Sequence, residues 1–151
     1  PPAYWPRIED IRAVVKVPLV ANGEIWTVAD AVQARAASGC HALMLGRGIV
    51  TNPGLGRAIQ AWDAGHTSPD APPSGVTWDD LAPHLAAFWA ITCHRIQRQH
   101  QAGRLKQWLN FLRKHYPQAQ TAYMDLRTIT QPERMTEWVA RQAPLACGTI
   151  H

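Results

Sequence analysis

Two glycine-bearing tripeptides, Asn22-Gly23-Glu24 and Gly46-Arg47-Gly48, contain the residue types from which an anion site is built. Each directly follows a short apolar run, Val17-Pro18-Leu19-Val20-Ala21 in the first case and Ala42-Leu43-Met44-Leu45 in the second. A glycine turn at the carboxyl end of a strand lets the backbone approach a ligand closely and leaves N–H groups free to surround a phosphate. An arginine between two glycines adds a guanidinium suited to a phosphate dianion in charge and in bidentate geometry. Either turn alone is equally well an ordinary structural turn. The pair, on successive strands, points to a phosphate site. Glu24 is the discordant member, because a carboxylate repels phosphate, so it either accepts hydrogen bonds from a hydroxylated chain of the ligand or orients Arg47.

A second concentration of chemistry lies at 93–116, which carries Arg95, Arg98, Arg104, Lys106, Arg113 and Lys114 and no acidic residue, with His94, His100 and His115 added. On a helical wheel of 104–116, Leu105, Trp108, Leu109, Leu112 and Tyr116 share one face and form a core stripe. Arg104, Phe111 and His115 fall on one flank of that stripe, and Lys106, Asn110 and Arg113 on the other. Phe111 is thus an aromatic placed among cations, an arrangement that stacks an unpaired base. A solvated basic face is the plain alternative; the acid-free length and Phe111 favour RNA contact.

Other reactive residues carry less. His41, His66 and His84 are isolated. Cys93-His94 lacks further ligands at metal spacing, so no metal site is expected. Asp79-Asp80 opens a helix and favours its dipole without any catalytic role. No nucleophile–base constellation is visible, and the chain as given lacks its own catalytic acid.

The elements that must hold these groups change character along the chain. Residues 1–63 alternate helix and strand: a short helix from Ile8 to Val15, a strand at 17–21, a helix from N-cap Thr27 to Gly39, a strand at 42–45, and a helix opened by Asn52-Pro53 with Leu55, Ile59 and Trp62 as its apolar stripe. Two glycine turns on successive parallel strands make the usual phosphate site of a β/α barrel, so this segment is expected to be the closing, carboxyl-terminal part of an eight-stranded (β/α)8 TIM barrel, its last two strands. Residues 64–76 are proline, glycine and small polar residues, a linker. Residues 77–151 show no strand pattern. Thr77 caps a long helix through about Gln101, lightly broken near Pro83; Gly103 separates it from a helix at 104–116, and helices at about 119–128 and 132–142 follow. The fold class is therefore α/β then all-α, with a four-helix bundle after the linker.

With 46% hydrophobic and 17% charged residues among 151, the chain is a folded protein. No apolar run approaches the roughly 20 residues of a membrane span, and the opening Pro1-Pro2-Ala3-Tyr4-Trp5-Pro6 has neither part of a secretory signal. It also lacks an initiator Met, so a piece of a longer protein is expected. Cys40, Cys93 and Cys147 are separated and odd in number, which supports neither a disulfide framework nor a zinc site and suits the cytoplasm. The net charge of +4 is uneven: six Lys/Arg against six Asp/Glu in 1–76, nine against five in 77–151. That excess suits a polyanionic partner for the second half.

Val17–Trp26 (VPLVANGEIW), Ser38-Gly39-Cys40, Leu43-Met44-Leu45-Gly46-Arg47-Gly48, Arg104–Leu109 (RLKQWL) and Leu112-Arg113-Lys114 together resemble the tRNA-dihydrouridine synthases, and within them the bacterial C subfamily. The resemblance covers nearly the whole chain, from the seventh barrel strand to the end of the helical domain. It implies an enzyme that uses FMN, reduced by NADPH, to add hydride to C6 of a tRNA uridine while a cysteine thiol protonates C5. Asn22, Gly23 and Glu24 match one flavin-contacting stretch, with the ribityl chain as a partner for Glu24. Gly46 and Arg47 match the stretch that grips the FMN phosphate. Arg104, Lys106, Phe111 and Arg127 fall at positions that contact tRNA, and the usual target is the D-loop uridine at position sixteen. The proton-donating cysteine belongs to earlier barrel loops, outside this chain, so the isolated chain is expected to be inactive; a monomer is expected. Two readings compete with this one: a non-catalytic RNA-binding module, and a small-molecule flavin oxidoreductase with a helical dimerisation appendage.

Overall fold

In the computed structural model, residues 3–66 and 75–142 are described. The remaining part of the expected linker, 67–74, and the end of the chain, 143–151, lie outside the described residues, and Cys147 with them. The described residues are mostly helical, with one two-stranded parallel sheet. They divide into two compact units, Pro1–Gly75 and Val76–His151.

The first unit runs α1 (Trp5–Val14), β1 (Val20–Asn22), α2 (Val28–Ser38), β2 (Ala42–Met44), α3 (Arg47–Thr51) and α4 (Leu55–Asp63). β1 pairs in parallel with β2, with Val20 opposite Ala42, Ala21 opposite Leu43 and Asn22 opposite Met44. Helix α2 starts where its sequence says it should. Thr27 accepts from the Asp30 N–H, and the Asp30 carboxylate accepts from the Thr27 N–H, a reciprocal cap. Gly39 ends it in the left-handed region at φ 65°. Ile25, Val28, Ala31 and Ala34 pack with Leu55, Ala58 and Ile59 of α4 into a small core. The Arg35 guanidinium then ties three elements, donating to both carboxylate oxygens of Asp63 and to the His41 carbonyl.

Only one face of the sheet is covered. Ala21 is fully buried and Leu43 packs on the core, whereas Val20 and Met44, on the opposite face, are each more than half exposed. Three local expectations shift. The first strand begins at Val20 rather than at 17, since Pro18 cannot donate to a ladder. A short helix, α3, follows directly on Gly46. Asn52 accepts from the Gly54 N–H before α4 begins at Leu55, a turn one step longer than a helix opened at Pro53.

The second unit holds α5 (Trp78–Arg95), α6 (Arg98–Leu112), α7 (Pro117–Leu126) and α8 (Pro132–Gln142). Its core contains Leu81, Leu85, Trp89, Leu105, Leu109, Leu112, Ala119, Met135 and Trp138. Thr77 and Asp80 form the same reciprocal cap at the start of α5, which continues through Pro83. The expected break at Gly103 is incorrect. Gly103 lies inside α6, and the chain leaves the helical path at Ile96 and Gln97 instead. The cause is the buried Gln101 side chain, whose amide donates to the Cys93 and Ile96 carbonyls and so satisfies the end of α5. Pro117 is the first residue of α7 and does not merely end the helix before it.

Candidate anion and nucleic-acid sites

The parallel pairing of β1 and β2 brings their carboxyl ends side by side, and with them the two glycine turns. The turns line a cavity of about 240 Å³ bounded by Asn22, Gly23, Glu24, Ile25, Trp26, Gly46, Arg47 and Gly48. All five residues expected to hold a cofactor are therefore gathered in one place. The first turn is held from behind by α1, where the Trp5 indole N–H donates to the Gly23 carbonyl at 2.9 Å. Gly23 takes φ 107° and Glu24 φ 52°, so two successive residues are left-handed. Glycine bears this freely, whereas for glutamate it is an unfavourable conformation that its surroundings must impose.

The second turn is close-packed against the first. A Cβ built on Gly48 would lie 2.0 Å from the Ile25 carbonyl oxygen, so no side chain fits there. A Cβ on Gly46 would face Asn22 Oδ1 at 4.0 Å. Arg47 opens α3, and the first N–H groups of a helix have no partner within it. Its guanidinium is well exposed and donates through Nη2 to Glu24 Oε1 at 2.8 Å. Of the two roles open to Glu24, this ion pair is the contact that orienting Arg47 requires. A guanidinium carries further donors, so one carboxylate contact leaves room for an anion. The donor set fits a phosphate ester. Trp26, whose ring lies 5.4 Å from Arg47 Cζ, is a site residue that spacing alone did not single out. Its place two residues past the first glycine turn was the available signal.

Cys40 is buried before the amino end of β2, opposite the turns, and Cys93 is exposed on α5, with burial of its sulfur raising its pKa. Among the described residues no cluster of His, Cys, Asp and Glu could hold a metal ion.

In the second unit three of the expected nucleic-acid residues, Arg104, Lys106 and Phe111, fall on two flanks of α6. Arg104 is exposed, and Phe111, half-buried and outside the core, lies two turns along the same side. Lys106 is on the other flank, and the structure brings it to Arg127 in a way the helical wheel could not show. Its Nζ donates to the Arg127 carbonyl at 3.2 Å and to the Ile129 carbonyl at 3.0 Å, closing the turn between α7 and α8. The Arg127 side chain is exposed at the end of α7. Arg113 is engaged as well, lying 4.4 Å over the Tyr123 ring. Partial desolvation lowers the His115 imidazole pKa from its ordinary value and so favours the neutral form. Among the described residues no helix is long and apolar enough to cross a membrane.

Comparison with known proteins shows the family. The family described as dihydrouridine synthase (Dus) matches residues 1–140. The chain is 39% identical over 140 residues to a tRNA-dihydrouridine(16) synthase of Aquipseudomonas alcaligenes, covering 93% of this chain and 43% of that protein. It is 43% identical over 136 residues to the protein so named in Pseudomonas syringae pv. tomato, covering 90% and 41%. A more distant example, from Shewanella oneidensis, is 30% identical over 135 residues, covering 89% and 40%. The chain thus spans about two fifths of the length of the curated relatives it matches.

Proposed function

The chain belongs to the dihydrouridine synthase family, and from that premise we propose that it is the carboxyl-terminal part of a flavoenzyme that reduces a tRNA uridine to 5,6-dihydrouridine. The observation that carries the proposal is the convergence of both glycine turns and Arg47 on one cavity at the ends of parallel strands. There the backbone around Gly46 and the Arg47 guanidinium receive the phosphate of FMN, while Asn22, Gly23 and Glu24 line its ribityl side. When bound there, FMN reduced by NADPH would supply the hydride for C6 of the uracil, and the proton for C5 would come from a cysteine outside residues 1–151. Buried Cys40, behind the strands, is not placed for that task.

Residues 1–63 are then the closing part of a TIM barrel, and β1 and β2 its last two strands. The exposed Val20 and Met44 support this, since in a barrel that face is filled by side chains of other strands. Residues 64–76 form the linker. Residues 77–151 form a helical domain that docks tRNA through Arg104, Lys106, Phe111 and Arg127. The name shared by the relatives favours the uridine at position sixteen of the D-loop. A cytoplasmic monomer completes the reading.

The test uses the whole protein encoded with this segment. Purified, it should be yellow, release FMN on denaturation, and form dihydrouridine in tRNA when supplied with NADPH. Changing Arg104 to Ala should weaken tRNA binding and lower its salt slope by about one unit for a lost phosphate contact. A colourless protein that takes up no added FMN would remove the flavin reading. Unchanged binding and slope in Arg104→Ala would place the RNA surface elsewhere.

A further inference from the structure

The Arg47 guanidinium is exposed, and an exposed long side chain held by one ion pair is weakly positioned. Here it belongs to a set of three groups in mutual contact. Glu24 Oε1 accepts from Arg47 Nη2 at 2.8 Å, and Glu24 Oε2 accepts from the Trp26 indole Nε1–H, also at 2.8 Å. The Trp26 ring in turn lies 5.4 Å from the guanidinium carbon. Each member touches the other two. The set is anchored to the fold through Trp26, whose backbone N–H donates to Asp30 Oδ2 at 3.0 Å, the carboxylate that also caps α2. Glu24 meanwhile adopts the left-handed conformation at φ 52°. That backbone setting sends its carboxylate between the indole and the guanidinium.

We propose that Trp26 is the positioning residue of the anion site. It fixes both the Glu24 carboxylate and the Arg47 guanidinium, so that the remaining arginine donors face a phosphate monoester in the cavity. This rests on the phosphate half of the function proposed above and adds to it a residue to which no part of that function was assigned. Trp26 touches no ligand in this scheme and acts through Arg47.

The test uses the whole protein encoded with this segment, freed of any bound flavin and labelled with ¹⁵N, the Trp26 indole resonance being identified by its loss in Trp26→Phe. Titration with inorganic phosphate and with FMN should shift that resonance, and riboflavin, which lacks the phosphate, should leave it in place. Trp26→Phe keeps an aromatic ring but loses the Nε1–H, and should weaken phosphate binding roughly three- to fivefold. Arg47→Ala should weaken it further, and the double variant should bind no worse than Arg47→Ala alone, the non-additivity of groups acting through one another. A riboflavin shift as large as that of FMN, additive losses, or an indole resonance unmoved by phosphate each overturn the proposal. If phosphate moves the resonance and FMN binds no better than phosphate, the Trp26 role stands and the flavin reading loses its support.

Discussion

Gly48 and Gly103 show how differently one residue type can be used. At Gly48 a Cβ would sit 2.0 Å from a backbone oxygen, which cannot move aside as a flexible side chain could. Gly48→Ala should therefore destabilise the first unit by about 3 kcal/mol, read as a lower denaturation midpoint. At Gly103 nothing lies within 4 Å, and the residue is in the middle of α6. Gly103→Ala should raise the stability of the second unit by about 0.5–1 kcal/mol, because alanine loses less backbone entropy in a helix. The glycines were legible in the sequence, but the sequence placed a helix break at the second of them. Lys106 shows the same limit among cations. Spacing put it on a basic flank, while the fold spends two of its protons on carbonyls. Lys106→Met, which keeps the stem and loses the ammonium, should speed amide hydrogen exchange in the turn between α7 and α8.

At the scale of elements, what was legible was what lies within a few residues. The Thr27–Asp30 and Thr77–Asp80 caps follow from local spacing, and both helices begin where those residues put them. Thr77→Ala should cost about 1 kcal/mol in the second unit, measured by thermal unfolding. The break between α5 and α6 was not legible, because it depends on Gln101 reaching back across a corner that exists only once both helices have packed. Tyr116 is a further long-range tie. It is buried, and its hydroxyl donates to the Val76 carbonyl at 3.0 Å. Burial, and then the negative charge of Asp80, raise its pKa above the ordinary value of 10.0. The folded state thus prefers the neutral phenol. The contribution is complete below the ordinary tyrosine value and is lost as pH rises through the raised folded one. The difference in stability between the wild type and Tyr116→Phe should therefore shrink above pH 10, as followed by denaturant titrations across that range. A difference that stays constant there would show that the phenol is not protected.

Over the whole molecule, each unit has its own core, and the two are unequal. The first relies on Leu55, Ile25, Ile59, Val28 and three alanines, the second on several leucines, three tryptophans and Met135. Apolar area buried sets the scale of stabilisation, so the second unit should be the more resistant to denaturant. Leu109→Ala should lower its transition by about 2–5 kcal/mol and leave that of the first unit in place. Coincident shifts of both transitions would mean that the units fold as one. The uncovered face of the sheet, with Val20 and Met44 exposed, is the part of this chain that most needs other protein against it.

By itself the sequence determined the two capped helices, the two glycine turns at the ends of successive strands, the core stripe of α6 and the family, because all of these rest on residue types at short, regular spacing. Only the tertiary structure decided that the turns meet, since that depends on parallel pairing between strands separated by a whole helix. It also decided which charged groups remain available for a ligand. Lys106 gives two of its three ammonium protons to carbonyls of the second unit and Arg113 lies over Tyr123, which limits rather than removes what they offer a ligand, while Arg47 is held beside its cavity by Glu24 and Trp26. Charge is a property of composition. Its direction is set by the partners that folding brings within hydrogen-bonding distance.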